Sequence, residues 1–401
     1  VTAFAELIAP RGAEDFLGAV WGRDMEIFRG IRGRFGHLLP WPALNEILHH
    51  SRFEPPRLRL AKAGEMIPAD RYSSRLSPDQ PYFRIRQDDM ARQLNDGATL
   101  VLNSIDELYA PIDDLAADLE RVLRERVQVN CYASFGPQRA FGTHWDDHEV
   151  LVFQVHGRKR WRVFGPTRIH PARRDVEQPR PPDGEPLAEF ILDEGDLLHI
   201  PRGWWHDVTA VDEPSLHLTA GVTPAMGADL LAWATDQLLR CELIRQNLPV
   251  HASVDDQQRY VGRLTEALVR ELDAAQTITR FRASRDALAP ARSHFCLPWS
   301  ATDYGLSPET DPCLRLTAPR AILEDRDGTT ELAADGKIYS FAAQAWPVLR
   351  ALLDGAPHRL SELSATSGGG DHEAIRVLCA DLIRTGIVTV HTSRPRAKAS
   401  R

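Results

Sequence analysis

No stretch of this sequence stays apolar long enough to cross a membrane as a helix. Nor does an apolar leader follow the N-terminus, where VTAFAELIAPRGAEDF carries its first charge at Glu6, so no signal peptide is expected. Cysteine is sparse. The five present (Cys131, Cys241, Cys296, Cys313, Cys379) form no CxxC pair and are odd in number, which argues against a disulfide framework or a zinc ribbon and for a reducing compartment. Excess positive charge is missing too: 48 basic against 56 acidic residues leave a formal net charge of -8, so the chain as a whole is not built to lie on phosphate backbone or anionic lipid. There is no internal repeat. A soluble cytoplasmic protein without a membrane partner is the expectation.

What is present is ample apolar residue. The 401 residues exceed one ordinary domain, and 43% hydrophobic with 26% charged is the balance of a globular protein with real cores. Up to about residue 125 the pattern is mixed. AEDFLGAVWGRDMEIFRG and PALNEILHH have helical spacing, PPRLRLAKAG reads as a strand closed by glycine, and SIDELYAPIDDLAADLERVLRER reads as an amphipathic helix capped by Ser104 or Asp113. From about 126 to 224 the short runs VQVNCYASFG, EVLVFQVHG, KRWRVFGP, GDLLHIPRG and SLHLTAGVTP, each ended by Gly or Pro, predict a sandwich or barrel. The Pro- and charge-rich stretch between Gly165 and Glu189 predicts a long surface loop. Helical patterns fill 226–287. After a linker, APARSHFCLPWS, the pattern of strands and two helices ending in IVTVHT fits a small winged-helix-like module with a short basic tail.

The chemistry concentrates in FGTHWDDHEVLVFQVHGRKRWRVF and GDLLHIPRGWWHDV. Alternate residues of a strand share a face, so His144 and Asp146 point the same way. A further imidazole would complete two histidines and one carboxylate on one side of a metal, leaving three positions open as a non-haem Fe(II) oxygenase requires. His148, His156, His170, His199 and His217 compete for that third place. His206 is preferred because it follows PRGW, where Pro201 and Gly203 can return a strand to the HxD segment. His217, on another candidate inner strand, stays the alternative, and the other four histidines are read as core or surface groups. Lys159 shares a strand face with Trp161 and Val163, at a sheet rim or as a buried cation awaiting an anion. Gln128, Asn130 and Tyr132 share one face of their strand, and His217, Thr219 and Gly221 share one of theirs. Such polar faces lie in water or line a barrel that binds a small acidic ligand.

The run NCYASFGPQRAFGTHWDDHEVLVFQVHGRKRWRVF, with GDLLHIPRGWWHDV and SLHLTAGV, resembles the cupin-type JmjC ribosomal oxygenases over roughly residues 126–224. The resemblance implies an α+β fold: a double-stranded β-helix (the cupin/JmjC barrel) followed by a helical segment and a C-terminal winged-helix-like domain. On that plan 1–225 form the catalytic domain, 226–290 a helical dimerisation segment, 291–393 the winged-helix-like domain and 394–401 a basic tail. It implies that His144, Asp146 and His206 bind iron and that Lys159 pairs with the distal carboxylate of 2-oxoglutarate. Asn130 and Tyr132 would lie beside that cosubstrate. Thr219 would stand in for a serine common on the last strand, and Gly221 sits where some members have serine. Fe(II), 2-oxoglutarate and O2 are the implied cofactors, a ribosomal protein side chain the implied substrate, and a homodimer the implied assembly. Three other readings compete: the same chemistry on a small molecule or peptide, a non-catalytic cupin and winged-helix binding protein, and a zinc hydrolase that leaves Lys159 without a partner. DNA binding is not expected, since acidic Asp325, Asp327, Glu331 and Asp335 crowd the C-terminal strands and no basic recognition helix stands out.

Overall fold

A computed structural model describes residues 4–391 apart from 54, 76–82, 138, 173–179, 212, 302–305, 308 and 367–371. The chain divides into two units, residues 1–224 and 225–401. Among the described residues no helix is long and apolar enough to cross a membrane.

The first unit is built on thirteen strands: β1 (Glu26–Phe28), β2 (Leu58–Lys62), β3 (Glu65–Ile67), β4 (Ser73–Arg75), β5 (Phe83–Ile85), β6 (Thr99–Leu102), β7 (Arg126–Ser134), β8 (Glu149–His156), β9 (Lys159–Pro166), β10 (Ala188–Leu192), β11 (Leu197–Ile200), β12 (Trp204–Ala210) and β13 (Ser215–Thr223). Eight of them form one sheet in the order β1-β11-β8-β13-β7-β6-β2-β3, and β10-β9-β12 form a second. All the pairings in both sheets are antiparallel. The helices are α1 (Phe4–Leu7), α2 (Ala13–Asp15), α3 (Trp41–His50), α4 (Gln87–Asn95) and α5 (Ala110–Leu123).

Alternation along the strands sorts the residues into two cores. Val127, Val129, Cys131 and Ala133 of β7 and Leu216, Leu218, Ala220 and Val222 of β13 join Leu44 and Ile47 of α3 and Ile112, Leu115 and Leu119 of α5 in the larger one. The opposite faces look toward the second sheet. There Val150, Val152, Leu198 and Ile200 meet Trp161, Val163 and Leu192 in a smaller apolar layer. Strand β8 is buried on both faces, which is why its middle, Val150 to Phe153, is unbroken apolar and not alternating.

Several expectations for this unit need correction. The helical spacing over 13–30 yields only α2 and one π turn over Phe16–Val20, because the chain then turns at Gly22 and Glu26–Phe28 pair with the edge strand β11. Tertiary pairing overrides the local pattern there. Neither Ser104 nor Asp113 caps α5. Ser104 precedes a single 3-10 turn, whereas α5 starts after Tyr109 with Pro111 in its first turn, the place where a proline is tolerated. Strands β6 and β10 lie where no strand was anticipated. Of the 165–189 loop, residues 173–179 lie outside the described set, and its end is β10.

In the second unit, α6 (Gly227–Leu238), α7 (Glu242–Arg245), α8 (Val254–Leu272) and α9 (Thr277–Ala287) come first. The rest holds β14 (Cys313–Leu316), β15 (Ile322–Arg326), β16 (Thr329–Ala334), β17 (Lys337–Ala342), α10 (Trp346–Leu352), β18 (His358–Arg359), α11 (Leu360–Thr366), α12 (His372–Arg384) and β19 (Val388–Val390). Strands β15, β16 and β17 form a meander, and β14 pairs with β18 and β19. Among the described residues three helices thus follow β17 where two were expected. The basic tail lies outside the described residues.

The edge strand β1 is fastened by Asp196, whose buried carboxylate accepts Gly30 N–H at 2.9 Å, Asp193 N–H at 3.0 Å and Arg29 Nη1 at 2.6 Å. Replacing Asp196 with alanine strands these donors, and the expected cost is about 2–4 kcal/mol. A lower denaturant midpoint for the first unfolding transition checks it, and a midpoint equal to wild type would refute the clasp.

Candidate metal centre

His144 and Asp146 lie between β7 and β8 on a segment that is not a regular strand. His144 makes one isolated antiparallel bridge with His206, and both backbone hydrogen bonds form: His144 N–H to His206 O at 3.1 Å and His206 N–H to His144 O at 2.8 Å. The same-face argument therefore rests on this single rung and not on a continuous strand. Asp146 is tied to the β11–β12 turn, its carbonyl accepting Gly203 N–H at 2.8 Å. Gly203 has φ +81°, and a Cβ there would stand 2.5 Å from Pro171, so this turn of PRGW needs glycine. His206 follows at the start of β12, as the sequence suggested.

One donor atom from each of His144, Asp146 and His206 lies within 4.8 Å of the others. The rings of the two histidines are 4.5 Å apart, and His206 Nε2 is 3.7 Å from Asp146 Oδ2. Each Nδ1 is engaged by a backbone carbonyl, His144 with Gly142 O at 2.9 Å and His206 with Trp204 O at 3.0 Å. A carbonyl can only accept, so both Nδ1 atoms carry the proton and both Nε2 lone pairs are left for a cation. Burial, and then the neighbouring His144, push the His206 pKa down, so its imidazole is neutral and able to ligate.

A cavity runs from this triad past Tyr132, Trp161, His217 and Thr219 to Lys159, Ser134 and Thr99. Lys159, 2% exposed, directs Nζ to Ser134 Oγ at 3.2 Å and to Tyr132 O at 3.4 Å. Ser134 Oγ in turn sits 2.8 Å from Thr99 Oγ1. No carboxylate pairs with Lys159 among the described residues, and burial pushes its ammonium down to about 7. The indole Nε1 of Trp161 and the Nδ1 of His217 are also buried without a hydrogen-bond partner. The wall thus offers several polar groups and a cation, and among the described residues its acid, Asp146, belongs to the donor cluster and is not paired with Lys159.

The remaining candidates separate. Tyr132 and Thr219 line the cavity, and Tyr132 stacks on His217 with ring centroids 4.9 Å apart. Asn130 is not among the lining residues; its side-chain oxygen accepts Ser104 N–H at 3.0 Å, a structural task. His217 lines the cavity but stands outside the three-donor cluster. Gly221 faces the ring of His148, which a Cβ would meet at 2.7 Å, so a serine there would collide with it. His156 bonds Leu39 O and stacks on Trp41, His199 bonds Val150 O and stacks on Trp21, and His170 is exposed. Sequence reasoning missed Thr99, Ser134 and Phe141. Alternation from Asn130 and Tyr132 pointed to Ser134, but Thr99 is found only through its register opposite Ser134.

The family described as JmjC domain matches residues 105–230. The bifunctional lysine-specific demethylase and histidyl-hydroxylase NO66 of Drosophila persimilis is 27% identical over 217 residues, 54% of this chain and 31% of that protein. Ribosomal oxygenase 1 of Gallus gallus is 38% identical over 95 residues, 23% of this chain and 16% of its own length. The chain spans about a third or less of the curated relatives it matches. In fold it is similar to ycfD of E. coli, with a TM-score of 0.61 at 17% identity over 95% of this chain and 98% of that one. A YcfD structure described as a ribosomal oxygenase in complex with cobalt and 2-oxoglutarate aligns with a TM-score of 0.57, at 16% identity over 94% of this chain and 98% of that one. Residues 105–230 thus match the JmjC-domain family, and in fold the chain is similar to a solved ribosomal oxygenase.

Proposed function

We propose that this chain is an Fe(II)- and 2-oxoglutarate-dependent oxygenase that hydroxylates a side chain of a ribosomal protein. The observation that carries the reading is the pairing, in one cavity, of a two-histidine, one-carboxylate donor set with a buried lysine that has no acid beside it. The residues fit the groups. Two imidazoles and a carboxylate on one side suit Fe(II) with open positions, and the unmatched ammonium suits a dicarboxylate. When bound, Fe(II) with 2-oxoglutarate and O2 supplies an oxidant that converts a substrate C–H to C–OH, while 2-oxoglutarate leaves as succinate and CO2. His144, Asp146 and His206 hold the metal, and the carbonyls of Gly142 and Trp204 keep the two rings oriented. Lys159 anchors the far carboxylate with help from Ser134, and Tyr132 and Thr219 shape the wall between.

The protein-substrate half of the reading rests on the relatives, whose names include a histidyl-hydroxylase and a ribosomal oxygenase. A small molecule or peptide would use the same site. A zinc hydrolase has no use for the buried Lys159. We read 1–225 as the catalytic domain, 226–290 as a dimerisation segment and 291–393 as winged-helix-like, with 394–401 a basic tail. The dimer is supported by Val254, Val261 and Val269, exposed along α8, and the winged helix by three helices beside the β14, β18 and β19 sheet. Asp325 and Asp327 at the β15–β16 turn make nucleic acid a poor partner. Five free cysteines suit a cytoplasmic, reducing setting.

Alanine at His144, Asp146 or His206 abolishes succinate release from 2-oxoglutarate while the far-ultraviolet circular dichroism stays as in wild type. Turnover retained in His206→Ala and lost in His217→Ala would move the third ligand to His217.

Lys159→Ala raises the Kd for 2-oxoglutarate at least about tenfold, the equivalent of ~1.4 kcal/mol, with metal affinity little changed. The pH dependence has a definite sign. The ammonium is the form that binds a carboxylate, and it loses its proton near pH 7 in the free protein. Affinity is therefore flat below about pH 7 and weakens above it, because each binding event must then take up a proton. Lys159→Arg, protonated throughout, flattens the profile. Calorimetric titration between pH 6 and 9 reads this directly, and a flat wild-type profile would remove Lys159 from the role.

Sedimentation of the full chain at micromolar concentration gives a dimer, and Val261→Asp shifts it toward monomer. A wild-type monomer there would end the dimer reading.

A further inference from the structure

Two of the three donor residues, His144 and Asp146, sit on the one part of the cavity wall that belongs to no strand, so something other than a sheet ladder must place them. One side of this segment is held by β12, through bridges Arg139–Thr209 and His144–His206. The other side meets the tip of the β2–β3 hairpin. Ala63 N–H donates to Arg139 O at 2.7 Å and Gly64 N–H to Ala140 O at 3.1 Å. Lys62 and Glu65 pair across the turn, and Ala63 and Gly64 both have positive φ, +52° and +88°. That is the primed two-residue hairpin turn, whose two central N–H groups stay outside the strand ladder and can bind another backbone.

The tip also reaches the residue that orients a ligand. A Cβ on Gly64 would stand 3.4 Å from Gly142 N and 3.8 Å from Gly142 Cα, so the two backbones are in near contact. Gly142 O is the acceptor that holds His144 Nδ1, and through it the direction of His144 Nε2. Phe141, the next residue back, lines the cavity and lies against His144, ring centroids 5.7 Å apart.

We propose that the β2–β3 hairpin tip, Ala63–Gly64, is a positioning element of the metal centre: its two N–H groups and its close approach to Gly142 set where His144 points. The proposal rests on the reading of His144, Asp146 and His206 as metal ligands. Neither Ala63 nor Gly64 lines the cavity, so the role is one of placement; a Cβ at 64 would already touch Gly142, and a branched side chain there presses on Gly142 before it reaches any donor atom.

The test is Co(II) titration of the full chain, read by its visible ligand-field absorbance. Gly64→Val, which forces a branched side chain against Gly142 at an unfavourable φ, lowers Co(II) affinity about tenfold or more and alters the band shape. Ala63→Asn, which keeps the turn and both N–H donors, binds as wild type. Leu44→Ala in the distant core lowers Tm without moving Co(II) affinity, which separates placement from general destabilisation. Wild-type affinity and spectrum in Gly64→Val overturn the proposal. Should Gly64→Val not fold, Gly64→Ala decides instead: its Cβ fits against Gly142 but φ +88° strains the turn, so a smaller loss is expected and an unchanged affinity overturns the proposal. If the wild-type chain takes no Co(II), or His144→Ala takes it equally well, the metal-centre reading itself falls and the hairpin's role falls with it.

Discussion

The two-residue period of β7 and β13 decides what this barrel can hold. Their apolar sides face outward beneath α3 and α5, and their polar sides face the second sheet. A sheet with one wet and one dry face ordinarily turns the polar side to solvent. Here helices occupy the dry side, so Tyr132, Ser134, His217 and Thr219 are left lining the cavity, and burial makes such groups expensive unless matched. Lys159 adds from the opposite sheet a buried charge with which no carboxylate pairs among the described residues. The electrostatics of the site therefore follow from the packing of its scaffold.

The metal end obeys a different rule. Its donors come from a segment and a strand joined by one backbone rung, and the imidazole orientations are set by carbonyls two residues away in each case, Gly142 for His144 and Trp204 for His206. Outside the cavity, Arg162 and Asp207 form an ion pair across β9 and β12 next to the ligand-bearing residue, with Arg139 3.7 Å from the same carboxylate. Regular strands thus fix one ligand, and irregular backbone held at several points fixes the other two.

Much of this was legible in the residues. The five alternating or apolar runs read between 126 and 224 do form strands, and the three donors chosen by spacing and turn chemistry converge. What the sequence hid was decided at long range. Glu26–Phe28 read as part of a helix because its apolar spacing suits one, and only the free edge of β11 makes it a strand. Thr99 reaches the cavity through a pairing between β6 and β7 that no local pattern announces. Asn130 looked equivalent to Tyr132 by parity, but the N–H of Ser104, just before the 3-10 turn, claims its side-chain oxygen. Helix α5 begins at Ala110 because of Pro111, a local signal outweighed in the reading by two tempting caps.

The large sheet ends at both margins in strands of three residues, β1 on one side and β3 on the other. A long open edge is a template for another chain, and short edges deny it one. On the β1 side that protection depends on the Asp196 carboxylate, since without it Glu26–Phe28 could peel away and bare the hydrogen-bonding groups of Leu197–Ile200. The buried aspartate therefore guards against intermolecular strand addition: damage at Asp196 would surface first as aggregation during synthesis or heating, well away from the cavity where the chemistry takes place.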